Sequence, residues 1–572
     1  MTILDPQLGQ KFLDLHGQSS GTRRGTQAIR QLHHMGRAIH VSASRNKPDT
    51  YLLRSLREEK QKLQQSKETK TGKGPIIRHE RKFPCSALAC GLWDYAGSDL
   101  VFISYFTDSR KGAVTFGTKS LAVLLDPPSV QIPKVQIDIP YNSVRSITVG
   151  DGSNLSLTLT LLEAPRIYED SADALKTLLL GAFDNLSLRT QPKSFKKSRI
   201  TSISKAHESV VSSCFVYRLS LSGTSISQVR ALKNFREVPS CIFWPTAVTD
   251  PERSFASETT ELISTLCLQY EELPFSLKFQ MQKLAQNGYL PPSRIVALLP
   301  EILHMVSRSG VATTLHATRK LFNQIPFAGP ETEAKELGLR GLTELLARSE
   351  LSSQIEMLYL SDHVERHEHI APTYKATVTP AGTYLYGPDP EPKNRVLRKY
   401  SDHSDFFLRV TFVDEDGEPI RFDNNASNGQ IYHERFKRVL GGVINIAGRG
   451  YEFLGFSHSS LRSQTCWFMA PFVQNGELFH ARAVIAKLGD FSAIRSPAKC
   501  AARIGQAFSE TSKTVKLPPN AVRTMKDVER SGRVFSDGVG TFSNSILQRI
   551  WKEYATSHIL KPKLFQIRYA GK

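Results

Sequence analysis

The chain has 572 residues, 40% hydrophobic and 22% charged, a balance that excludes a disordered polymer. At about 100–200 residues per domain, it has room for three or four domains. Its 74 basic and 54 acidic residues give a net charge of +20, which favours a polyanionic partner, either nucleic acid or an anionic membrane surface.

No run approaches the ~20 consecutive apolar residues that span a bilayer, and Met1-Thr2-Ile3-Leu4-Asp5-Pro6 lacks a charged region followed by an apolar one. The seven cysteines contain no Cys-x-x-Cys pair. Cys85 and Cys90 lie closest together, without the spacing of a zinc half-site. A reduced intracellular compartment, nucleus or cytoplasm, is the expectation, with structural cysteines.

Residues 1–81 form a polar, basic arm. Leu52–Gln65 has helical spacing, and Lys67–Gly74 reads as a flexible basic linker. A solvated tail is preferred over an RNA-contacting or nuclear-import arm. Residues 82–250 form a β-rich N-terminal domain. Leu100–Phe106 and Leu121–Leu125 are apolar runs, while Val135–Ile139 and Leu155–Leu161 alternate as half-buried strands do. Gly150-Asp151-Gly152 and Asn154 mark a turn, and Gln191–Ser204 reads as an exposed loop.

Helical spacing dominates 255–365, over Phe275–Asn287, Ser293–Ser307 and Gly338–Leu360, with Gly288 and Pro291-Pro292 as breakers. His363 and His367 are one helical turn apart and followed by His369, a spacing able to hold a metal. A solvated helix end is the preferred reading, because the Glu365 position does not suit a His-Glu-x-x-His site. Strands return beyond His369, in a last region spanning 370–572.

Within that region Asp414-Glu415-Asp416-Gly417-Glu418 invites a metal reading, since clustered carboxylates can clamp Mg²⁺. A hairpin explains more of the residues. Phe407–Val413 is a strand, Asp416-Gly417 a turn pair, and Pro419–Phe422 a possible return. Asn394–Tyr400 carries Arg395, Arg398 and Lys399 beside an aromatic. Phosphate contact and pairing with Asp402 or Asp405 both remain open there.

Lys499–Ser509 reads as a helix burying Ala498, Ala501, Ala502, Ile504 and Phe508, with Arg503 and Gln506 turned elsewhere. Phe535–Gly540 places Asp537 before glycines that suit a sharp turn. Phe565–Tyr569 alternates as a strand with Gln566 and Arg568 on one face.

Taken in order, these motifs resemble the cellular RNA-dependent RNA polymerases of the eukaryotic RNA-silencing family, fungal type. The matching segments are Arg395-Val396-Leu397-Arg398, Asp405 with Phe407–Val410, and Phe453–Ser457 leading to Leu461-Arg462 and Cys466-Trp467-Phe468. Ala502–Gln506, Ser536–Gly540 and Phe565–Tyr569 follow. Upstream, Phe279–Leu284 and Asn287–Leu290 also match.

The resemblance implies an α+β multidomain protein in which a β-rich N-terminal domain and a helical middle region lead into the beginning of a double-psi β-barrel polymerase core. It implies nucleotidyl transfer on a single-stranded RNA template with nucleoside triphosphates, giving double-stranded RNA for siRNA production, among silencing-machinery proteins and away from membranes. Mg²⁺ is the implied cofactor, held by an Asp-x-Asp-Gly-Asp loop that no residue here matches, and Lys572 falls about one position short of the family's lysine. No catalytic or metal-ligating residue is therefore assigned. Arg395, Arg398, Arg503, Gln506, Asp537, Gln566 and Arg568 are assigned RNA-binding or core-positioning roles. The chain alone is expected to be inactive. The alternative is a non-catalytic RNA-binding protein derived from such a polymerase, and a membrane-surface role for the basic arm ranks third.

Overall fold

A computed structural model describes residues 30–34, 37–41, 81–127, 133–150, 155–170, 197–234, 238–239, 241–326, 328–361, 369–423, 425–509, 515, 517, 521–523, 525–536 and 540–554. The architecture is mixed α+β, with a β-rich N-terminal region, a helical middle and a second sheet after it.

Among the described residues the first large sheet has 13 strands, built around the long strand Arg81–Ala96. Residues 81–85 of that strand pair with Gly112–Phe116, and residues 88–96 pair with Asp99–Asp108. Its other edge pairs with Val216–Leu221. The strand changes partner between Cys85 and Leu88, and its pairing with Asp99–Asp108 carries a register shift between Cys90 and Gly91. A Cβ on Gly91 would sit 1.7 Å from the Ile103 carbonyl oxygen, so only glycine allows this approach.

Val135–Pro140 alternates buried and half-buried as its sequence predicts. Ser156–Leu161 does not, being buried at every position. It lies mid-sheet between Val144–Gly150 and Val216–Leu221. Leu157, Leu159 and Leu161 enter the core, while on the opposite face the Trp93 indole Nε1 donates to Thr160 Oγ1 at 2.8 Å. Alternation in sequence fails here because both faces of the strand are covered.

The expected exposed loop at 191–204 is corrected over 197–200, while 191–196 lie outside the described residues. Lys197–Ile200 is a strand paired with Arg166–Asp170, and Arg199 on it is only 3% exposed. Its charged composition suggests solvent, but carboxylates from a distant segment cover it. The turn at 151–154 lies outside the described residues.

The middle region consists of Phe255–Ser264, Phe275–Gln286, Pro292–Gln324 and Leu339–Ser361. Pro292 occupies a first-turn position that its fixed φ suits. The helix expected to stop at Ser307 continues to Gln324, interrupted at Gly310, whose φ is 78°. By length and composition this segment is long enough and apolar enough to cross a membrane. Counting consecutive apolar residues missed that property because Glu301 and Arg308 interrupt the run. Ile295, Leu298, Leu299, Ile302, Met305, Ala317 and Leu321 are buried in the helical core.

The second sheet runs in the order Thr383–Pro392, Ile370–Val378, Phe407–Phe412, Thr465–Met469, Arg449–Gly455, Val443–Ile446. Ile370–Val378 and Phe407–Phe412 are parallel. Their connection must therefore cross over, and it carries the helix Arg395–Lys399. The chain of the second sheet also contributes to the first, since Ala426–Ser427 pairs in parallel with Lys197–Ile200 as an edge strand of the first sheet.

Helix Phe275–Gln286 clamps the second sheet with amide side chains. Gln280 donates to the Gly387 carbonyl at 3.0 Å, and Gln286 to that of Thr383 at 2.7 Å. Gln282 accepts from the Ala447 N–H at 2.6 Å.

Candidate nucleic-acid interface

The acidic segment 414–418 forms the expected turn. The Asp414 N–H donates to the Glu418 carbonyl at 2.7 Å, and the Gly417 N–H to the Asp414 carbonyl at 3.0 Å. The return strand is absent, because residues 419–423 have no regular structure. The carboxylates instead reach the first sheet. Arg166 Nη2 donates to Asp414 Oδ2 at 3.0 Å and to Asp416 Oδ2 at 2.6 Å. Arg199 Nη2 donates to Asp414 Oδ1 and to Glu415 Oε2. Local turn chemistry predicted the bend, but these long-range charges decide the path after it.

Burial drives Glu415 well above the usual carboxyl range; Arg199 opposes that without prevailing, and Asp414 adds to it. Burial also works to raise Asp414. A hydrogen bond from Glu415 and the charge of Arg199 outweigh it and hold Asp414 below its ordinary range. Arg166 and Arg199 face all three acids, so the buried cluster is not left with an uncompensated charge.

The segment therefore does not fit Mg²⁺, because its acceptor oxygens are already held by arginines. Among the described residues no other group of three or more His, Cys, Asp or Glu is placed to hold a metal ion. Of the histidines, His369 is exposed, and His363 and His367 lie outside the described residues.

The basic helix Arg395–Lys399 is built differently. Asn394 caps it, its Oδ1 accepting from the Leu397 N–H at 2.9 Å. Val396, Leu397 and Tyr400 bury into a cluster with Phe407, Trp467, Phe472, Ala507 and Phe508. That packing leaves Arg395 and Lys399 exposed and Arg398 half-buried, with its Nη1 donating to the Lys393 carbonyl at 2.6 Å.

Desolvation and the charge of Arg395 lower the Arg398 pKa. Desolvation, then Lys487 and Arg395, lower that of Lys399. Such mutual depression marks cations held close together. Asp405 pairs with Arg449 at 2.8 Å, not with the Arg395–Lys399 helix, because Arg449 lies across the sheet from it. Beside the helix, Asn394 Nδ2 and the buried Tyr400 hydroxyl have no hydrogen-bond partner among the described residues.

Arg503 and Gln506 join this site through the same hydrophobic cluster. Helix Pro497–Gly505 continues into the turn Gln506–Phe508, which packs against the Arg395–Lys399 helix. Arg503 and Gln506 are exposed, and Ala507 and Phe508 are buried. Ala498, expected inside, is exposed, since it lies near the helix start, away from the Phe508 contact. Asp537, Gln566 and Arg568 lie outside the described residues.

The structure thus brings Arg395, Arg398, Arg503 and Gln506 onto one packed unit. Lys487 was missed, as were Arg166 and Arg199. No local motif surrounds them, and only folding gives them their neighbours.

Residues 378–572 match the family described as RNA dependent RNA polymerase, and residues 81–253 match the fungal RdRP associated PH-like domain. RNA-dependent RNA polymerase 1 of Arabidopsis thaliana is 27% identical over 454 residues, covering 76% of this chain and 38% of that protein. RNA-dependent RNA polymerase 2 of the same plant is 25% identical over 437 residues, covering 74% and 37%. RNA-dependent RNA polymerase 1 of Schizosaccharomyces pombe is 31% identical over 234 residues, covering 41% and 18%. The chain therefore spans well under half the length of these relatives.

Proposed function

We propose that this chain, a relative of the eukaryotic RNA-dependent RNA polymerases, holds single-stranded RNA through its basic surface for template-directed nucleotidyl transfer in RNA silencing. One observation carries the reading. The segment that matches the polymerase family is also the segment in which Arg395, Arg398, Lys399 and Lys487 converge. Exposed guanidinium and ammonium groups suit phosphate oxygens, and an electrostatic contact of this kind needs no base sequence.

The proposal extends to nucleoside triphosphates as substrates, to the beginning of a double-psi β-barrel in residues 370–572, and to an arm, β-rich domain and helical region at 1–81, 82–250 and 255–365. It also places the protein inside the cell, in the nucleus or cytoplasm, away from membranes and beside other silencing proteins.

The family's chemistry uses a divalent metal, but the clustered acids described here are occupied by Arg166 and Arg199. This chain alone is expected to bind RNA without extending it. The second reading is a non-catalytic RNA-binding protein derived from such a polymerase.

The test is single-stranded RNA binding by the purified 572-residue chain across a salt series, alongside template-dependent nucleotide incorporation. Binding that weakens steeply with salt supports the proposal, and a flat salt response overturns both readings. Incorporation by the chain alone would overturn its expected inactivity and the second reading with it.

A further inference from the structure

The first sheet holds a second feature, remote in sequence from residues 378–572. Arg218 on strand Val216–Leu221 is only 8% exposed and, among the described residues, has no carboxylate partner. Its Nε and Nη2 donate to Ser156 Oγ at 3.3 and 3.2 Å, and Nη2 also donates to Thr246 Oγ1 at 2.9 Å and to the Thr246 carbonyl at 3.3 Å. Its Nη1 is buried with no hydrogen-bond partner among the described residues. The guanidinium carbon lies 5.5 Å from the Phe102 ring centre, a contact that stabilises a cation without supplying an acceptor. Burial lowers the Arg218 pKa, and no acid opposes it.

The neighbours deepen the anomaly. Thr158 pairs across the sheet with both Arg218 and Thr148. Among the described residues, the hydroxyl oxygens of Thr148 and Thr158 are also buried without a partner. One row of the sheet thus holds a desolvated cation and two hydroxyls with unused hydrogen-bonding capacity. Buried groups in folded proteins are normally paired; of these three residues only Arg218 lines a cavity, so its unpartnered Nη1 is the group open to a ligand.

Arg218 lines a cavity of about 790 Å³, within the range of about 300–1,000 Å³ typical of small-molecule sites. Trp244, 41% exposed, stands on its wall beside Pro245 and offers a flat aromatic face. Asp99 and Asp250 line the cavity as well, and both are exposed.

We propose that this cavity binds a nucleotide phosphate, with the phosphate on Arg218 and the base against Trp244. A guanidinium fork matches phosphate oxygens, and its attraction is least screened where it is buried. Bases stack on an exposed indole regardless of their identity. Asp99 and Asp250 can accept from ribose hydroxyls, and they disfavour a run of phosphodiesters. One terminal phosphate suits the cavity better than the interior of a polynucleotide. This proposal does not depend on the polymerase reading, because none of these residues lies within 378–572.

The test is calorimetric titration of the full chain with adenosine 5′-monophosphate, adenosine and inorganic phosphate. Parallel arms use RNA octamers with and without a 5′-phosphate. The monophosphate should bind more tightly than adenosine or inorganic phosphate. Trp244→Ala, at an exposed wall, should weaken it about tenfold, as loss of one stacking contact does. Arg218→Lys keeps the charge but loses the fork and should weaken it by at least a similar factor. Thermal melting of each variant verifies the fold.

A free nucleotide as the natural ligand shows as monophosphate binding with no difference between the two RNAs. An RNA end shows as tighter binding of the 5′-phosphorylated octamer, lost in both variants. The proposal is overturned if neither phosphorylated ligand binds, if inorganic phosphate binds as well as the monophosphate, or if a folded Trp244→Ala protein binds unchanged.

Discussion

The side chain of Asn287 pairs with the backbone of Leu385 as a neighbouring strand would. Its Nδ2 donates to the Leu385 carbonyl at 2.8 Å, and its Oδ1 accepts from the Leu385 N–H at 2.9 Å. One residue on, Gly288 has a φ of 67°, and a Cβ there would meet the Ser213 carbonyl at 2.3 Å. The Asn-Gly pair therefore docks the helical region on the second sheet and on the turn that leads into Val216–Leu221 of the first.

Asn287→Ala leaves a buried N–H and a buried carbonyl unpaired. The expected cost is roughly 2–4 kcal/mol, from the penalty for two unsatisfied groups. Chemical denaturation measures it, and a loss below about 0.5 kcal/mol, the scale of ordinary surface changes, would contradict the role.

Arg199→Met removes one guanidinium from the Asp414–Glu415–Asp416 cluster and leaves buried acid behind. Stability should fall by about 3–5 kcal/mol, the usual result of breaking a buried pair. Glu415→Gln should be nearly neutral at pH 7, because burial already holds Glu415 above its ordinary range. A large loss in Glu415→Gln would show that the group is ionised.

His207 is fully buried, and burial pushes its pKa down from 6.5 to about 3, against a weaker pull from Asp108. Its folded pKa is thus below the unfolded one, so its stabilisation is complete above pH 6.5 and is lost as pH falls toward 3. At pH 5 the loss is about 2 kcal/mol, from 1.36 kcal/mol per pH unit. His207→Leu sacrifices the 3.2 Å contact with the Tyr217 hydroxyl but should flatten the stability profile between pH 6 and about 4. An unchanged slope in urea melts would rule His207 out as the titrating group.

Arg395→Ala combined with Lys399→Ala should leave folding intact, since both side chains are exposed. The slope of log affinity for single-stranded RNA against log salt should shrink by about 1.4, at about 0.7 per lost phosphate contact. Filter binding at several salt concentrations reads this directly. An identical slope would move the RNA path elsewhere.

Gly505→Ala tests how the second half of the surface is held. A Cβ at Gly505 would sit 2.4 Å from the Phe456 carbonyl oxygen, which is backbone and cannot step aside easily. The substitution should cost about 1–3 kcal/mol, as overpacking does, and should weaken RNA binding by displacing Arg503 and Gln506. Destabilisation with unchanged RNA affinity would separate those two residues from the interface.

The sequence by itself determined the local alternation of Val135–Pro140, the helix Phe275–Gln286, the turn at Asp416-Gly417 and the order of motifs that match the polymerase family. Each depends on neighbours a few residues away, where periodicity and turn chemistry operate. Tertiary structure alone decided that Ser156–Leu161 is covered on both faces and that Arg199 leaves solvent. It also tied Asp414 to a guanidinium 215 residues away and set Lys487 beside Lys399. Charge and burial act through space, so a charged residue shows its partner only after distant segments have packed around it.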